Sequence, residues 1–498
     1  MARRVSDGAV LPLALDRDGA EPLHRQLYDQ LRELILDGRL TAGSRLPSSR
    51  TLAKELAISR NTVTAAFDQL FAEGYLSGKV GAGSFVSDEL PEESLSMGPS
   101  QMPDAPVSSP RRQGLSRRGA RLAALHGTRS SRRATAFSIG LPDLDGFPFD
   151  VWSRLMTKAW RRPPRDLLAN AEPAGYLPLR RAIVDYLRTA RGVRCEPEQV
   201  IIVAGVQQAI ALACHVLLDE GDTALMEDPG YLGMRGALLG AGVHIATAPV
   251  DEEGFDIDAG EAAAPDARLV CVAPSHQYPI GVTMSLARRL RLLDWAQRHD
   301  GWVLEDDYDS EYRYVGRPLS ALQGLDRDGR VVYAGTFSKV MFPTLRIGYL
   351  VVPPDLAAPF RQARAALDDH PSSIAQPALA AFIEEGHFAA HLRRMRRLYA
   401  ERREALAAAL TDRYGAAIGL APSEAGMHLL AHLSPDLAPG VSDRDIQARA
   451  AEEGVTVSAL SAYYAAPTDA RGLLLGFSAV PVENMPAALD KLSRVLTP

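Results

Sequence analysis

The chain has 498 residues, 46% hydrophobic and 23% charged, with a formal net charge of -6. That length exceeds one typical core, so at least two domains are expected. No apolar run is long enough to span a membrane, and the net charge excludes a surface coated uniformly with cations for nucleic acid, though not a local basic face. Three cysteines, Cys195, Cys214 and Cys271, have neither paired nor metal-ligand spacing. They read as thiols of a reducing cytoplasm and indicate no metal site.

Residues 1 to about 20 carry little pattern, and the start Met1-Ala2-Arg3-Arg4 is not followed by a signal-peptide core. Leu23, Leu27, Leu31, Leu34 and Ile35 then recur at helical spacing, with Pro22 at the first turn and a stop near Asp37-Gly38. Ser48 or Ser49 can cap a second helix through Leu56, and Ser59 a third running to about Glu73. Two helices joined by the short Ala57-Ile58 turn make a helix-turn-helix, whose second helix offers its first residues, Arg60, Asn61, Thr62 and Thr64, to base edges in a major groove. Gly74 to Val86 reads as a hairpin with a glycine-rich tip, a wing. Residues 1–88 are thus expected to form a small α+β winged helix-turn-helix that binds double-stranded DNA.

Periodicity disappears from about Asp88 to Ala134, where Pro, Ser, Gly and Arg dominate. Residues 89–134 read as a flexible linker, whose arginines either attract DNA weakly or merely solvate the tether. In residues 135–498 strand signals alternate with helical ones, at Val200–Val203, Thr223–Met226, Val243–Ala246, Arg268–Val272 and Trp302–Leu304. Such alternation predicts an α/β sheet covered on both faces, with ligands at the carboxyl ends of its strands. Beyond Pro371 a smaller domain is expected. It holds a charged helix from Phe388 to Leu410, with Arg393, Arg394, Arg396 and Arg397 as a solvated face, and strands near 426–430 and 473–477.

Two predicted strand ends carry chemistry. After Arg330–Gly335, Lys339 is flanked by Thr336, Ser338 and Arg346. A lysine amine of this kind can form a Schiff base with an aldehyde cofactor, while hydroxyls and a guanidinium clamp the cofactor's phosphate. After Trp302–Leu304 come carboxylates and a phenol. For pyridoxal 5'-phosphate, Asp306 suits the pyridinium nitrogen and Tyr308 the ring oxygen, whereas Asp307, Asp309 and Glu311 read as a solvated acidic turn. Gly205-Val206-Gln207 follows a strand and opens a helix, so amides there can face the phosphate.

The segments Ala204–Ala209, Glu227–Tyr231, Pro274–Gly281, Glu305–Tyr308 and Phe337–Lys339 resemble the fold-type I aminotransferase domain of MocR-type transcriptional regulators. The N-terminal pieces, including Leu46-Pro47-Ser48-Ser49-Arg50 and Gly81-Ala82-Gly83-Ser84-Phe85, are similar to the GntR-type winged helix. The resemblance runs through nearly the whole chain, in order. It implies a multidomain protein in which the winged helix precedes an α/β fold-type I aminotransferase-like domain with large and small subdomains. Arg45, Arg50, Arg60 and Lys79 would then meet DNA phosphates, with Ser48 and Thr64 in the contact set and Ser59, Asn61, Thr62 and Gly81 close to bases or sugar.

The same resemblance implies that Tyr231 stacks on the pyridine. Many aminotransferases have Asn-Pro-Thr-Gly where this chain has Tyr278-Pro279-Ile280-Gly281, and Gln277 or His276 would replace the missing asparagine at the ring oxygen. Asn170 stands where relatives often place a tyrosine that reaches the partner subunit's phosphate. Arg471, or Arg235, would receive an effector carboxylate. The implied assembly is a homodimer, head to tail, with exchanged DNA-binding heads, and the implied effector is an amine, an amino acid or pyridoxal phosphate itself. A working aminotransferase with an appended DNA-binding domain is the competing reading, since both need Lys339. A cofactor-free dimerisation scaffold is disfavoured by the intact set Asp306, Tyr308, Lys339 and Arg346.

Overall fold

The computed structural model describes residues 11–79, 83–90, 114–125 and 135–496, except Asp18, Ala20, Glu89, Pro164, Asn170, Arg317, Pro318 and Ser423. It divides into two compact units, Met1–Arg112 and Gln113–Pro498.

In the first unit the helices α1 (Leu23–Leu36), α2 (Ser49–Glu55) and α3 (Arg60–Ala72) precede a hairpin of β1 (Leu76–Lys79) and β2 (Gly83–Val86). Leu27, Leu31, Leu34 and Ile35 form the buried stripe of α1 and pack with Leu52, Val63, Phe67, Leu70 and Val86 in one core. Of the two serines able to cap α2, Ser48 does so, accepting from Thr51 N at 3.1 Å; Ser59 caps α3, accepting from Thr62 N at 3.1 Å. Each bond satisfies an amide that the first helical turn leaves without a partner. The hairpin is antiparallel, with Leu76 opposite Val86 and Lys79 opposite Gly83.

The second unit is built on an eight-stranded sheet in the order β3-β10-β9-β8-β7-β4-β5-β6. Its strands are β3 (Val200–Val203), β4 (Thr223–Asp228), β5 (His244–Asp251), β6 (Gly254–Phe255), β7 (Ala267–Val272), β8 (Trp302–Asp307), β9 (Val331–Thr336) and β10 (Gly348–Val351). From β9 through β8, β7 and β4 to β5 all pairings are parallel. β10 lies between β3 and β9 and is antiparallel to both. The expected alternation lacked β10, a four-residue strand that follows the Lys339 loop with only the 3-10 turn Pro343–Leu345 and no α-helix between. Every residue of β3, β9 and β10 is buried, as for strands covered on both faces. Parallel strands aligned this way bring the loops after β3, β4, β7, β8 and β9 to one edge of the sheet.

The C-terminal part carries an antiparallel sheet in the order β11-β12-β14-β13, comprising β11 (Ile418–Leu420), β12 (His428–Leu433), β13 (Ser458–Ala459) and β14 (Gly472–Gly476). The long helix before it runs His387–Tyr414, further at both ends than its periodicity suggested. Its arginines are not uniformly solvated, because Arg396 donates to Glu311 O at 2.5 Å and Arg394 to Gly146 O at 2.5 Å.

Two further expectations are corrected. The stretch read as a flexible linker contains a helix, Arg117–Ala123, started by Ser116, whose side chain accepts from Gly119 N. Arg118 there pairs with Glu220 at 2.7 Å. The acidic turn after β8 is not solvated. Asp307 is buried against Arg191 at 2.8 Å, Asp309 against His276 at 3.1 Å, and Glu311 accepts from Tyr186 Oη at 2.7 Å.

Candidate functional site

Lys339, Asp306 and Arg346 line one cavity of about 250 Å³, together with Val206, Gln207, Tyr231, Tyr308, Thr336 and Ser338. The last residues of β8 and β9 and the segments that follow β3, β4, β8 and β9 supply them. Lys339 Nζ donates to Gly140 O at 3.1 Å, and a Cβ built on Gly140 would stand 2.4 Å from that nitrogen. Only glycine leaves the amine its room. Burial lowers the Lys339 pKa, against the opposing pull of Asp309 and Asp306. An amine that sheds its proton more readily is a better nucleophile.

Asp306 is pushed up to about 7, by burial first and then by repulsion from Asp307 and Asp309. Its Oδ1 is buried without a hydrogen-bond partner among the described residues, as is Ser338 Oγ. Glu227, also lining the cavity, is pushed up to about 8 by burial, although it accepts from Ala273 N at 3.2 Å. A buried carboxyl or hydroxyl without a partner costs about 1–3 kcal/mol, so such atoms facing a cavity mark where a ligand group belongs.

The other end of the cavity suits an anion. Gly205 has φ 112° and precedes the helix Val206–Leu217, whose first amides have no partner in that helix. A Cβ at Gly205 would come within 3.1 Å of Arg346 Nη1, so the guanidinium lies over this helix start. Arg346 is a non-glycine residue at φ 52°, a conformation that costs about 1 kcal/mol and recurs at functional sites. Thr336 Oγ1 accepts from Ser338 N at 3.2 Å, fixing the turn between the two hydroxyls. The donor set fits pyridoxal phosphate on these grounds. A protonated ring nitrogen would supply the cation that Asp306 lacks, and the phosphate would occupy the amides, Ser338 and Arg346.

Gln277 does not face the cavity. It is fully buried, donates to Pro229 O and Tyr278 O, both at 2.8 Å, and accepts from Ile280 N at 3.1 Å, so its amide is used up in holding the loop. The side chain that this loop presents is Tyr278, at the position of the missing asparagine. Its ring stands edge-on to those of Tyr231 and Tyr308, both at 5.9 Å, and its Oη meets Tyr463 Oη at 2.9 Å. Tyr231 Oη accepts from Gln207 Nε2 at 3.3 Å.

Neither effector arginine lines the cavity. Arg471 donates to the carbonyls of Ser434, Leu437, Ala438 and Val441 at 2.8–3.1 Å. It is the internal brace of the loop between β12 and the following helix. Arg235 reaches the carbonyls of Tyr463 and Tyr464 at 3.4 Å. The wall that sequence reasoning missed includes Ile139, Gly140, Tyr278, Asp309, Met427 and His428. Only Tyr278 and Asp309 had a legible signal, the first standing next to Pro279 and the second one residue beyond Tyr308.

In the first unit Arg45, Ser48, Arg50, Ser59, Arg60 and Asn61 are exposed, while Thr62 and Thr64 are half-buried. Arg60 Nε approaches Ser49 Oγ at 3.4 Å, which brings the starts of α2 and α3 together. Arg45 bridges to Phe85, and a Cβ on Gly83 would lie 3.0 Å from its Nε, so the hairpin adjoins the same residues. Gly81 and the Lys79 side chain lie outside the described residues, as does Asn170.

Residues 23–86 match the bacterial regulatory proteins of the gntR family, and residues 139–492 match aminotransferase class I and II. Among curated relatives, the probable rhizopine catabolism regulatory protein MocR of Rhizobium meliloti is 42% identical over 96% of this chain and 95% of its own length. The HTH-type pyridoxine biosynthesis transcriptional regulator PdxR of Corynebacterium glutamicum is 32% identical over 97% of this chain and 98% of its own. Among solved structures, the kynurenine aminotransferase of Pyrococcus horikoshii superposes with a TM-score of 0.67 at 26% identity, covering 75% of this chain and 96% of that one. LysN, the alpha-aminoadipate aminotransferase of Thermus thermophilus complexed with a phosphopyridoxyl-leucine, gives 0.67 at 29% identity, covering 76% and 96%. A gntR-type DNA-binding unit, a pyridoxal phosphate-binding aminotransferase-type unit and regulators matched along almost their full length place this chain in the MocR-type family of transcriptional regulators.

Proposed function

We propose that the protein binds operator DNA through the first unit and senses a primary amine, an amino acid or pyridoxal phosphate itself through Lys339. The observation that carries this reading is the convergence of Lys339, Asp306, Ser338 and Arg346 on one cavity, where Asp306 Oδ1 and Ser338 Oγ are buried without partners among the described residues. Bound there, pyridoxal phosphate supplies an aldehyde that condenses with amines. The protein's part is to hold the phosphate with Arg346, Ser338 and the amides of the helix Val206–Leu217, to keep the ring nitrogen against Asp306, and to wall the ring with Tyr231. Tyr308 offers its phenol to the ring oxygen. Arg45, Arg50 and Arg60 supply phosphate contacts, with Ser48, Ser59, Asn61, Thr62 and Thr64 nearer the bases.

A cytoplasmic homodimer is the assembly this reading requires. Its support is an exposed apolar group, Phe149, Trp160, Leu168 and Ile374, in which Trp160 Nε1 donates to Ile374 O at 3.1 Å. A groove lined by Trp152, Phe342, Ile374 and Arg346 joins that face to the cofactor end, so a second copy seated there would border the phosphate site. Effector binding would bias the paired heads by its differential affinity for two arrangements. Among the described residues no helix is long and apolar enough to cross a membrane.

The test is operator binding with and without pyridoxal phosphate and a panel of primary amines, for the parent and for Lys339→Ala. The reading expects at least one compound to change the parent's DNA affinity or footprint and to leave the variant's unchanged. Equal responses in both proteins would overturn it. Repeated turnover of an amine and a keto acid would instead favour the aminotransferase reading.

A further inference from the structure

We propose that His276 and Asp309 form a positioning pair that turns the hydroxyl hydrogen of Tyr308 into the cofactor cavity. This rests on the cofactor reading above and adds to it a device for setting the phenol's direction. His276 Nδ1 lies 3.1 Å from both carboxylate oxygens of Asp309 and 2.9 Å from Tyr308 Oη. His276 is 3% exposed and Asp309 1%, which leaves no solvent to compete for these bonds.

The hydrogen count decides the direction. An ionised carboxylate only accepts, so the hydrogen shared between Nδ1 and Asp309 belongs to Nδ1. A ring nitrogen that carries its hydrogen cannot accept another from the phenol. Tyr308 Oη therefore takes a share of the Nδ1 hydrogen, and its own hydrogen is left to point elsewhere. Tyr308 and Asp309 both line the cavity, so elsewhere is the cavity. The phenol is thereby committed as a donor toward an anionic ring oxygen, and the carboxylate fixes the histidine tautomer that makes it so.

The surroundings hold the imidazole in that orientation. A Cβ on Gly426, at φ 88°, would fall 2.0 Å from His276 Cε1, and one on Gly281 would lie 3.3 Å from Nε2. The backbone entering β12 thus closes on the ring, and the His428 ring lies 5.6 Å away. His428 is itself held neutral, pushed down to about 4 chiefly by burial, and donates through Nε2 to Pro279 O at 3.1 Å. The other titratable groups facing the pair and Tyr308 are Tyr278, Asp306, Glu227 and Lys339.

The test is a pH titration of the visible absorption band of the holoprotein. A hydrogen bond donated to the ring oxygen makes it release its shared proton more readily, so losing the donor raises the titration midpoint, by about one pH unit. Tyr308→Phe and His276→Leu should each raise it, and the double variant no further than Tyr308→Phe alone, because the histidine acts through the phenol. Asp309→Asn, which keeps the shape, should shift it the same way, since an amide N–H would donate to Nδ1 and release the phenol to point at the imidazole. The proposal is overturned if His276→Leu and Asp309→Asn leave the midpoint in place while Tyr308→Phe moves it, or if the shifts add in full. A holoprotein without a visible band, or a Tyr308→Phe midpoint equal to the parent's, would sink the underlying cofactor or Tyr308 assignment instead.

Discussion

Arg346, after β9, and Arg471, before β14, are both arginines beside a strand, and they differ in what their guanidinium groups have left to give. Arg471 donates to four backbone carbonyls within 3.1 Å, so its capacity is consumed by the loop it braces. Arg346 makes no hydrogen bond or ion pair among the described residues. It is exposed, left-handed, and held over Gly205 at a helix start. Arginine's five donors are fixed in a planar fork, and an anion can use only those that remain. Satisfied donors make architecture, and unsatisfied ones beside a cavity make a site. A related contrast separates Asp307, whose Oδ2 is tied to Arg191 and Tyr333, from its neighbour Asp306: the Oδ1 of each is buried without a partner among the described residues, but only Asp306 lines the cavity.

The contrast breaks if the two arginines behave alike. Arg471→Met should cost the larger free energy, ~2–4 kcal/mol of folding stability for the carbonyls it abandons, while the folded variant keeps the parent's cofactor affinity. Calorimetry and cofactor titration together read this. Arg346→Ala should do the reverse, weakening cofactor binding by roughly 10- to 100-fold with the melting temperature of cofactor-free protein nearly unchanged. If Arg471→Met lost cofactor affinity and kept its stability, the assignment of the two arginines would be inverted.

Asp306 sharpens the point through pH. Its carboxyl is held at about 7 in the folded chain against an ordinary 3.8, so between those values the folded state binds the extra proton. The contribution of Asp306 to the stability of cofactor-free protein then falls as pH rises from about 4 to about 7, because at this group the native state holds more protons than the unfolded one. Asp306→Asn removes this contribution. The cofactor-free variant should exceed the parent by on the order of 1–3 kcal/mol at pH 8 and match it near pH 4 in denaturant titrations. Equal pH profiles would show that Asp306 is ionised and paired in the empty site.

The smallest expected effect lies in the first unit. Arg60→Ala should weaken operator binding several-fold and lower the slope of log affinity against log salt by about 1, leaving the cofactor spectrum as it was. A changed spectrum would mean that Arg60 belongs to the cofactor site.

Much of this was legible in the sequence because strand ends advertise themselves. Val200–Val203 followed by Ala204-Gly205, or Trp302–Leu304 followed by the acidic run from Glu305 to Asp309, can be read without coordinates, and parallel β-strands put such ends on one edge. The caps at Ser48 and Ser59 were legible for the same reason, since a serine before a periodic apolar stretch has one favoured use. What stayed hidden depends on long-range partners. Nothing local to Arg471 announces the carbonyls of residues 434–441, and nothing local to Asp309 announces His276. Gln277 looked like a ligand for its place in the motif, yet its amide is consumed by Pro229 O from another loop. The helix Arg117–Ala123 escaped because seven residues with three arginines and a glycine carry no apolar stripe of their own.

The central claim, that the partnerless polar atoms around Lys339 are the receiving groups for pyridoxal phosphate, is tested most directly by borohydride reduction of the pyridoxal phosphate-loaded protein followed by peptide mapping. The account predicts one phosphopyridoxyl group per chain, carried by the peptide containing Lys339 and absent from Lys339→Ala. A label on a different lysine, or none at all with the cofactor in excess, would contradict it.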